Sequence, residues 1–501
     1  MKVNIFKIPN ENVDSLRAKM EALQMNKKQT HTDDGWICSF YLSTKIEIAN
    51  IAWTRDYRSL VPDLSDVKNI VFYAIYLCEK GSDCFALTYG KGHFYVRSYC
   101  DQSFGLEMAK RIVDDNEIIQ KATKRFSGKK KKEIKSYKKD TKFDNESGES
   151  VDYINAMVVE DKQNIFGEKS KFGASIIVSR EDLGISGIPG VLDEIINTLL
   201  EDPRFDIPKT EEIKDETTIN RYNDLLIQQI KTDISSIDTE FNSHDLVGTD
   251  FIFSGNERFV LHLNRSKRSE EFSELGHKEL KKFIETFAIR DEEILNIKVE
   301  IIKEGQSVYK KPLYEMIEYM VPDENVVLEQ GKWKRFNEEY LDQINGMVDS
   351  IRIEPTEPEF ESISLTEPVF NSSRTLIDAN YKKADTDFSI IGVGSGHTTE
   401  AWDLQKGDTV YAVKFGKAQK LVYVCSQAVA TLEIIRNIPR FNKLVNRPAK
   451  YCLWLGFERL NIPTKISEIK SIILKQNIDM FARCCREIGL EPVLKFSKKI
   501  S

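Results

Sequence analysis

Histidine is scarce in this chain, with six in 501 residues. Cysteine is sparse as well: Cys38, Cys78, Cys84, Cys100, Cys425, Cys452, Cys484 and Cys485 make up the whole set. No two are spaced as Cys-x-x-Cys, and no histidine lies near enough to complete a zinc-finger pattern, which argues against a structural zinc site. Most of these cysteines sit in apolar segments, where a free thiol behaves as a small hydrophobe, and a reducing cytoplasm is the expected compartment. The opening Met1-Lys2-Val3-Asn4-Ile5 has neither the apolar stretch nor the cleavage site of a secretory leader, and no run approaches the length of a membrane span. Phosphate-loop chemistry is also missing. Gly184, Gly187 and Gly190 precede a helical stretch, but Pro189 interrupts them and no Lys-Ser/Thr follows. Gly90 and Gly92 read as turn or bulge residues. His93 is a lone histidine without a visible partner, and His397 lies in the Gly394-Ser395-Gly396 turn, so neither a Ser/His/Asp nor a Cys/His site is favoured.

What is there describes a globular protein of several domains. Hydrophobic residues make up 41% and charged residues 30%, and the chain is too long for one core. The net charge of -7 makes any nucleic-acid contact the work of a local basic surface. Hydrophobic periodicity gives an α/β reading, with mixed sheets flanked by helices. Residues 1–120 form an expected N-terminal α/β domain, 121–150 a basic flexible segment, 151–352 a middle α+β domain and 353–373 a linker holding Pro355, Pro358 and Pro368. Residues 374–501 form a C-terminal α/β domain ordered β-β-α-β-α-β. A hairpin is expected between Phe251–Phe253 and Arg258–Leu263, and another over Val326–Phe336.

The basic segment is the most biased stretch. Lys121, Lys124, Arg125, Lys129, Lys130, Lys131, Lys132, Lys135, Lys138, Lys139 and Lys142 face only Glu133 and Asp140, with Phe126 and Tyr137 between them. Such a run neutralises phosphates and gives salt-dependent binding of nucleic acid, DNA more readily than RNA on this reading. The plain alternative is a solvated loop.

The second focus lies between Asp378 and Arg436. Thr398–Leu404 and Thr409–Phe415 read as the arms of a hairpin around Gln405-Lys406-Gly407-Asp408, followed by a helix from Leu421 to Arg436. Acidic residues end one strand and a lysine lies inside the next, an arrangement suited to a metal ion and an attacking water over a phosphodiester. The stretch is similar to restriction-endonuclease-like nucleases, and that resemblance implies Asp403 and Glu400 as ligands of Mg²⁺ or Mn²⁺, Glu433 as a replacement ligand and Lys414 as the group that orients water, with Gln427 on the following helix. Ala412 occupies the place, two residues before Lys414, where the nucleases it resembles carry an acid. The alternative is a structural α/β domain, since lysine is common on edge strands.

Several motifs carry a family resemblance. Cys84-Phe85-Ala86-Leu87-Thr88-Tyr89-Gly90-Lys91-Gly92 with Phe104-Gly105-Leu106, Gly331-Lys332-Trp333 with Phe336, Glu400-Ala401-Trp402-Asp403-Leu404, and Val413-Lys414 with Gln427-Ala428 resemble segments of an uncharacterised bacterial family. Its members are called sporadically distributed proteins, and their genes often lie near restriction and anti-phage genes. Trp402 stands where that family has a cysteine, and Ala412 where it has a histidine. The C-terminal stretch is also similar to restriction-endonuclease-like nucleases. The resemblance implies a cytoplasmic protein of bacterial antiviral defence that engages nucleic acid, either as a divergent metal-dependent nuclease or as a non-enzymatic sensor or scaffold for a phage or defence-system protein. Self-association is compatible with both, and neither calls for a membrane.

Overall fold

A computed structural model describes residues 1–44, 47–50, 57, 60–61, 68–125, 131–137, 143, 148–231, 257–263, 268–273, 275, 277–303, 306–317, 319–321, 324–329, 331–384, 402–436, 447–458 and 461–500. The architecture is mixed α/β, and the chain divides into two compact units. The first comprises Met1–Lys124, Lys132–Asn145 and Ser150–Glu211. The second comprises Arg125–Lys131, Glu146–Glu149 and Glu212–Ser501.

The first unit is built on a ten-stranded sheet. From one edge its strands are Met25–Asp33, Trp36–Ser43, Tyr73–Lys80, Asp83–Gly90, Lys2–Lys7, Ile176–Ser179, Lys169–Phe172, Ser150–Val158, Val113–Arg125 and Lys131–Ser136. Alternation along the strands explains why both faces are covered. Cys78, Phe85 and Leu87 face one core with Phe104, Met108, Leu192 and Ile195 of the helices Phe104–Ile112 and Ile188–Leu199. Ile75, Leu77, Cys84 and Ala86 face another with Val13, Leu16 and Met20 of the helix Asn10–Ala22. Two glycines of the Cys84–Leu106 motifs have a steric reason. Gly90 sits at φ +58° and a Cβ there would lie 2.3 Å from the carbonyl oxygen of Phe72. At Gly105 a Cβ would lie 2.3 Å from the Ser175 carbonyl oxygen, so the helix can approach that loop only without a side chain.

The second unit holds three sheets in the described residues. Glu257–His262 pairs with Ser269–Phe272 and Lys298–Lys303. Its expected partner, Phe251–Phe253, lies outside the described residues. The hairpin over Val326–Glu329 and Lys332–Phe336 forms as expected, paired Val326 to Arg335 and Glu329 to Lys332. In the C-terminal sheet, Glu491–Lys499, Lys450–Phe457 and Thr409–Gly416 run parallel, and Leu404–Lys406 and Lys382–Lys383 add antiparallel strands beyond them. The helices Ala418–Arg436 and Ile472–Glu487 cover one face, and Tyr340, Ile344 and Val348 of the helix Glu338–Asp349 join the same core.

The expectation of a linker over 353–373 needs correction. Ser362–Ile363 pairs in parallel with Lys498–Lys499, and Phe360 and Phe370 are buried edge-on against Trp454. Proline-rich composition there marks short, tightly turned elements, with Pro358 and Pro368 opening a 3₁₀ turn and a short helix. The aromatic residues between the prolines supply the apolar surface that makes the segment a layer of the fold.

Candidate functional site

The central strand Thr409–Gly416 sorts its side chains by parity. Tyr411, Val413 and Phe415 pack with Trp454 on one face, while Val410 and Ala412 pack with Val424 and Ala428 on the other. Ala412 is buried, so an acid at that position would have placed a carboxylate inside an apolar layer. Lys414 comes two residues later at the strand's end and is half-buried. Its Nζ lies 3.2 Å from Glu367 Oε2 and 5.3 Å from the centre of the Tyr423 ring. Gln427, one helical turn after Tyr423, donates its side-chain amide to the Tyr423 hydroxyl at 3.0 Å. Lys414 and Gln427 therefore meet through Tyr423, and Glu367 completes a four-residue group at the end of the strand.

Asp403 has a different role. Its backbone N–H donates to the Tyr411 carbonyl at 2.9 Å, and its carboxylate Oδ2 accepts the Val413 N–H at 2.6 Å. Pairing with the short neighbouring strand ends at Leu404–Tyr411, and the carboxylate takes over as acceptor for the next amide. Tyr451 is fully buried beneath this point, and burial first, then the Asp403 charge, pushes its phenol well above the ordinary range. Glu433 is exposed six residues beyond Gln427, about 9 Å along the helix axis. Burial, then the charges of Glu487 and Glu433, push the Cys484 thiol up to about 11. Glu400 lies outside the described residues. Among the described residues, no group of three or more His, Cys, Asp or Glu side chains is arranged to hold a metal ion.

The basic segment is partly folded into the first unit. Lys121 is buried, with its ammonium 5.9 Å from the Tyr137 ring centre and 5.6 Å from that of Phe143. Lys124 pairs with Asp152 at 2.7 Å, and Lys135 lies 3.7 Å from Glu133. Lys131 and Lys132 begin the edge strand Lys131–Ser136. Lys129, Lys130, Lys138 and Lys139 lie outside the described residues.

Sequence reasoning missed a second charged group on the opposite face of the C-terminal sheet. Lys495 is buried, its ammonium 4.4 Å from the Trp454 ring centre, 5.3 Å from that of Tyr381 and 2.7 Å from the Tyr381 hydroxyl. Its ion-pair partner is Glu357, which also accepts from Lys406 at 3.0 Å and from the Tyr381 hydroxyl at 2.8 Å. Burial opposes the Glu357 charge, but hydrogen bonds from Lys495, its own backbone, Lys406 and Tyr381 outweigh it and bring the carboxyl down to about 2. A third polar group runs along the helix Ile472–Glu487, where Lys475, Gln476, Asn477 and Asp479 are all buried. Gln476 donates to Tyr340, and burial raises the Asp479 carboxyl against the opposing charges of Arg483 and Arg125. Linker-like composition hid Glu357 and Glu367. The crowding of four polar residues on one helix was a signal that could have been read.

These features define a mixed α/β protein with a lysine-bearing central strand and a basic sheet edge. The chain belongs to a family of unknown function, DUF6119, which matches residues 4–452. No curated protein and no solved structure matches it.

Proposed function

We propose that the protein binds nucleic acid, DNA in preference to RNA, through the lysine-rich edge of the first unit's sheet, and that it does so in the cytoplasm as part of bacterial anti-phage defence. The observation that supports the reading is the strand Lys131–Ser136, which carries Lys131, Lys132 and Lys135 on the outermost position of the ten-stranded sheet. Among the described residues this strand ends the sheet, and its lysines can follow a phosphate backbone there. The contact is to phosphates, so it is independent of sequence and weakens with salt.

Binding of labelled duplex DNA and of single-stranded RNA is measured across a salt series, for the native chain and for Lys131→Gln/Lys132→Gln/Lys135→Gln. The native chain is expected to bind more weakly as salt rises. The triple variant should lose up to about 2.7 from the magnitude of the log–log salt slope on duplex DNA, about 0.9 for each phosphate contact removed. Absence of binding at low salt, or a slope that the variant leaves unchanged, overturns the reading.

A hydrolytic reading rests on the meeting of Lys414, Gln427, Tyr423 and Glu367 at the end of the central strand, with Asp403 just before the neighbouring strand Leu404–Lys406. Mg²⁺- or Mn²⁺-dependent cleavage of DNA or RNA, abolished by Lys414→Ala and by Asp403→Asn with binding retained, is its test. Binding without cleavage leaves the recognition reading. Neither binding nor cleavage points to a non-enzymatic sensor or scaffold for a phage or defence-system protein.

A further inference from the structure

The strands Trp36–Ser43 and Tyr73–Lys80 are antiparallel neighbours, and their register sets Cys38 directly opposite Cys78. Facing residues in such a pair have Cα atoms about 4.5 or 5.5 Å apart, and both values fall inside the span of roughly 4.4–6.8 Å that a disulfide bridges. The two thiols point into the same core and are fully buried. On the other side of Cys38, the register places His31 of the edge strand opposite it. The His31 ring is stacked on Tyr76, its Nε2 is 2.8 Å from the Tyr76 hydroxyl, and Tyr76 lies in the same core as Cys38. An imidazole, a phenol and two thiols thus lie side by side across three strands.

We propose that Cys38 and Cys78 form an oxidisable dithiol that closes into a reversible disulfide, with Tyr76 and His31 positioning the reacting thiol. The oxidant is hydrogen peroxide. The Cys38 thiolate attacks one peroxide oxygen, the O–O bond breaks, and the departing hydroxide takes a proton to leave as water. Cys38 is then a sulfenic acid. The Cys78 sulfur attacks the sulfenic sulfur, the S–O bond breaks, and the hydroxyl leaves as water with the thiol proton. Two thiols and one peroxide give one disulfide and two waters. Cys38 is the attacking thiol because its neighbours Cys78 and Tyr76 favour the thiolate against the cost of burial and hold its pKa below the ordinary thiol value. Cys84, on the opposite face of the sheet, lacks these partners, and burial pushes its thiol up to about 12. Access comes from the sheet edge, where Asn26–Thr30 of the outer strand are exposed and an edge strand opens more readily than the centre.

The full chain is treated with hydrogen peroxide, remaining thiols are alkylated on denaturation, and peptides are mapped by mass spectrometry with and without dithiothreitol. The expected product is a peptide pair linked through Cys38 and Cys78, lighter than the dithiol by two hydrogens and separated again by the reductant. Cys38→Ser and Cys78→Ser abolish it, and Cys84→Ser does not. Tyr76→Phe forms the same linkage more slowly, with a shifted pH–rate profile, while far-ultraviolet circular dichroism stays unchanged. The map of the native chain decides the matter even if a serine variant fails to fold. If peroxide leaves Cys38 and Cys78 unlinked while the half-buried Cys484 is oxidised, the proposal is overturned. A linkage to any other cysteine overturns it too.

Discussion

Replacing Glu357 by glutamine should cost more stability than replacing Lys495 by methionine, although each change breaks the same ion pair. The reason lies in what each change leaves behind. Lys495 is 2% exposed, and its ammonium is surrounded by Trp454, Tyr381 and Tyr411, with Glu357 as its ion-pair partner. Without the carboxylate, a buried cation keeps only ring faces, the Tyr381 hydroxyl and a neutral amide, and such broken pairs cost about 3–5 kcal/mol. Glu357 is 28% exposed and, without Lys495, still accepts from Lys406 and Tyr381. Lys495→Met therefore loses little beyond one charged hydrogen bond, about 1.5–3 kcal/mol, offset in part by the apolar methionine against Trp454. The double variant should lie near Lys495→Met, because no charge is then left stranded. Amide hydrogen exchange in the strand Glu491–Lys499 reads the local opening free energy, and urea unfolding followed by tryptophan fluorescence reads the second unit as a whole. A cost for Lys495→Met equal to or larger than that for Glu357→Gln would refute the reasoning, as would a double variant less stable than Glu357→Gln alone.

The same group sets a pH dependence. The Glu357 carboxyl is lowered from 4.5 to about 2, so its contribution is complete above pH 4.5 and is lost as the pH falls toward 2. It amounts to about 3 kcal/mol before solvent screening and about 2 kcal/mol after it. The stability gap between native chain and Glu357→Gln should narrow between pH 5 and pH 3 in urea titrations, and a gap that stays constant counts against this account. Asp403→Ala should cost about 1–3 kcal/mol by leaving the Val413 N–H without its acceptor, whereas Asp403→Asn keeps an acceptor and should cost less; thermal unfolding of the two variants checks the order. Gly105→Ala should destabilise the first unit by about 3 kcal/mol or more, because the new methyl meets backbone oxygens of Ser175 and Gly173 that cannot yield as a side chain would, and chemical denaturation measures it.

Local patterns were legible where they repeat along the chain. The hairpin Tyr73–Lys80/Asp83–Gly90 follows from alternation on both sides of Gly81, and the element order of the C-terminal sheet follows from apolar strands alternating with amphipathic helices. Segment 353–373 was read the other way because its composition is that of a linker, and only the burial of Phe360 and Phe370 against Trp454 gives it a place. Lys414 and Gln427 were selected from the sequence, and their meeting at Tyr423 follows from helix spacing once the strand end is placed. Glu367 lies 47 residues before Lys414, and Glu357 lies 138 residues before Lys495, so neither pairing has a local signal. The opposition of Cys38 and Cys78 likewise depends on the register of strands whose paired residues lie 40 positions apart. Sequence alone determined the strongly patterned strands and helices and which lysines cluster, because those properties belong to neighbouring residues. Tertiary structure decided which charges are paired, which lysines are buried and which thiols touch, because these depend on register and layer packing between segments far apart in the chain.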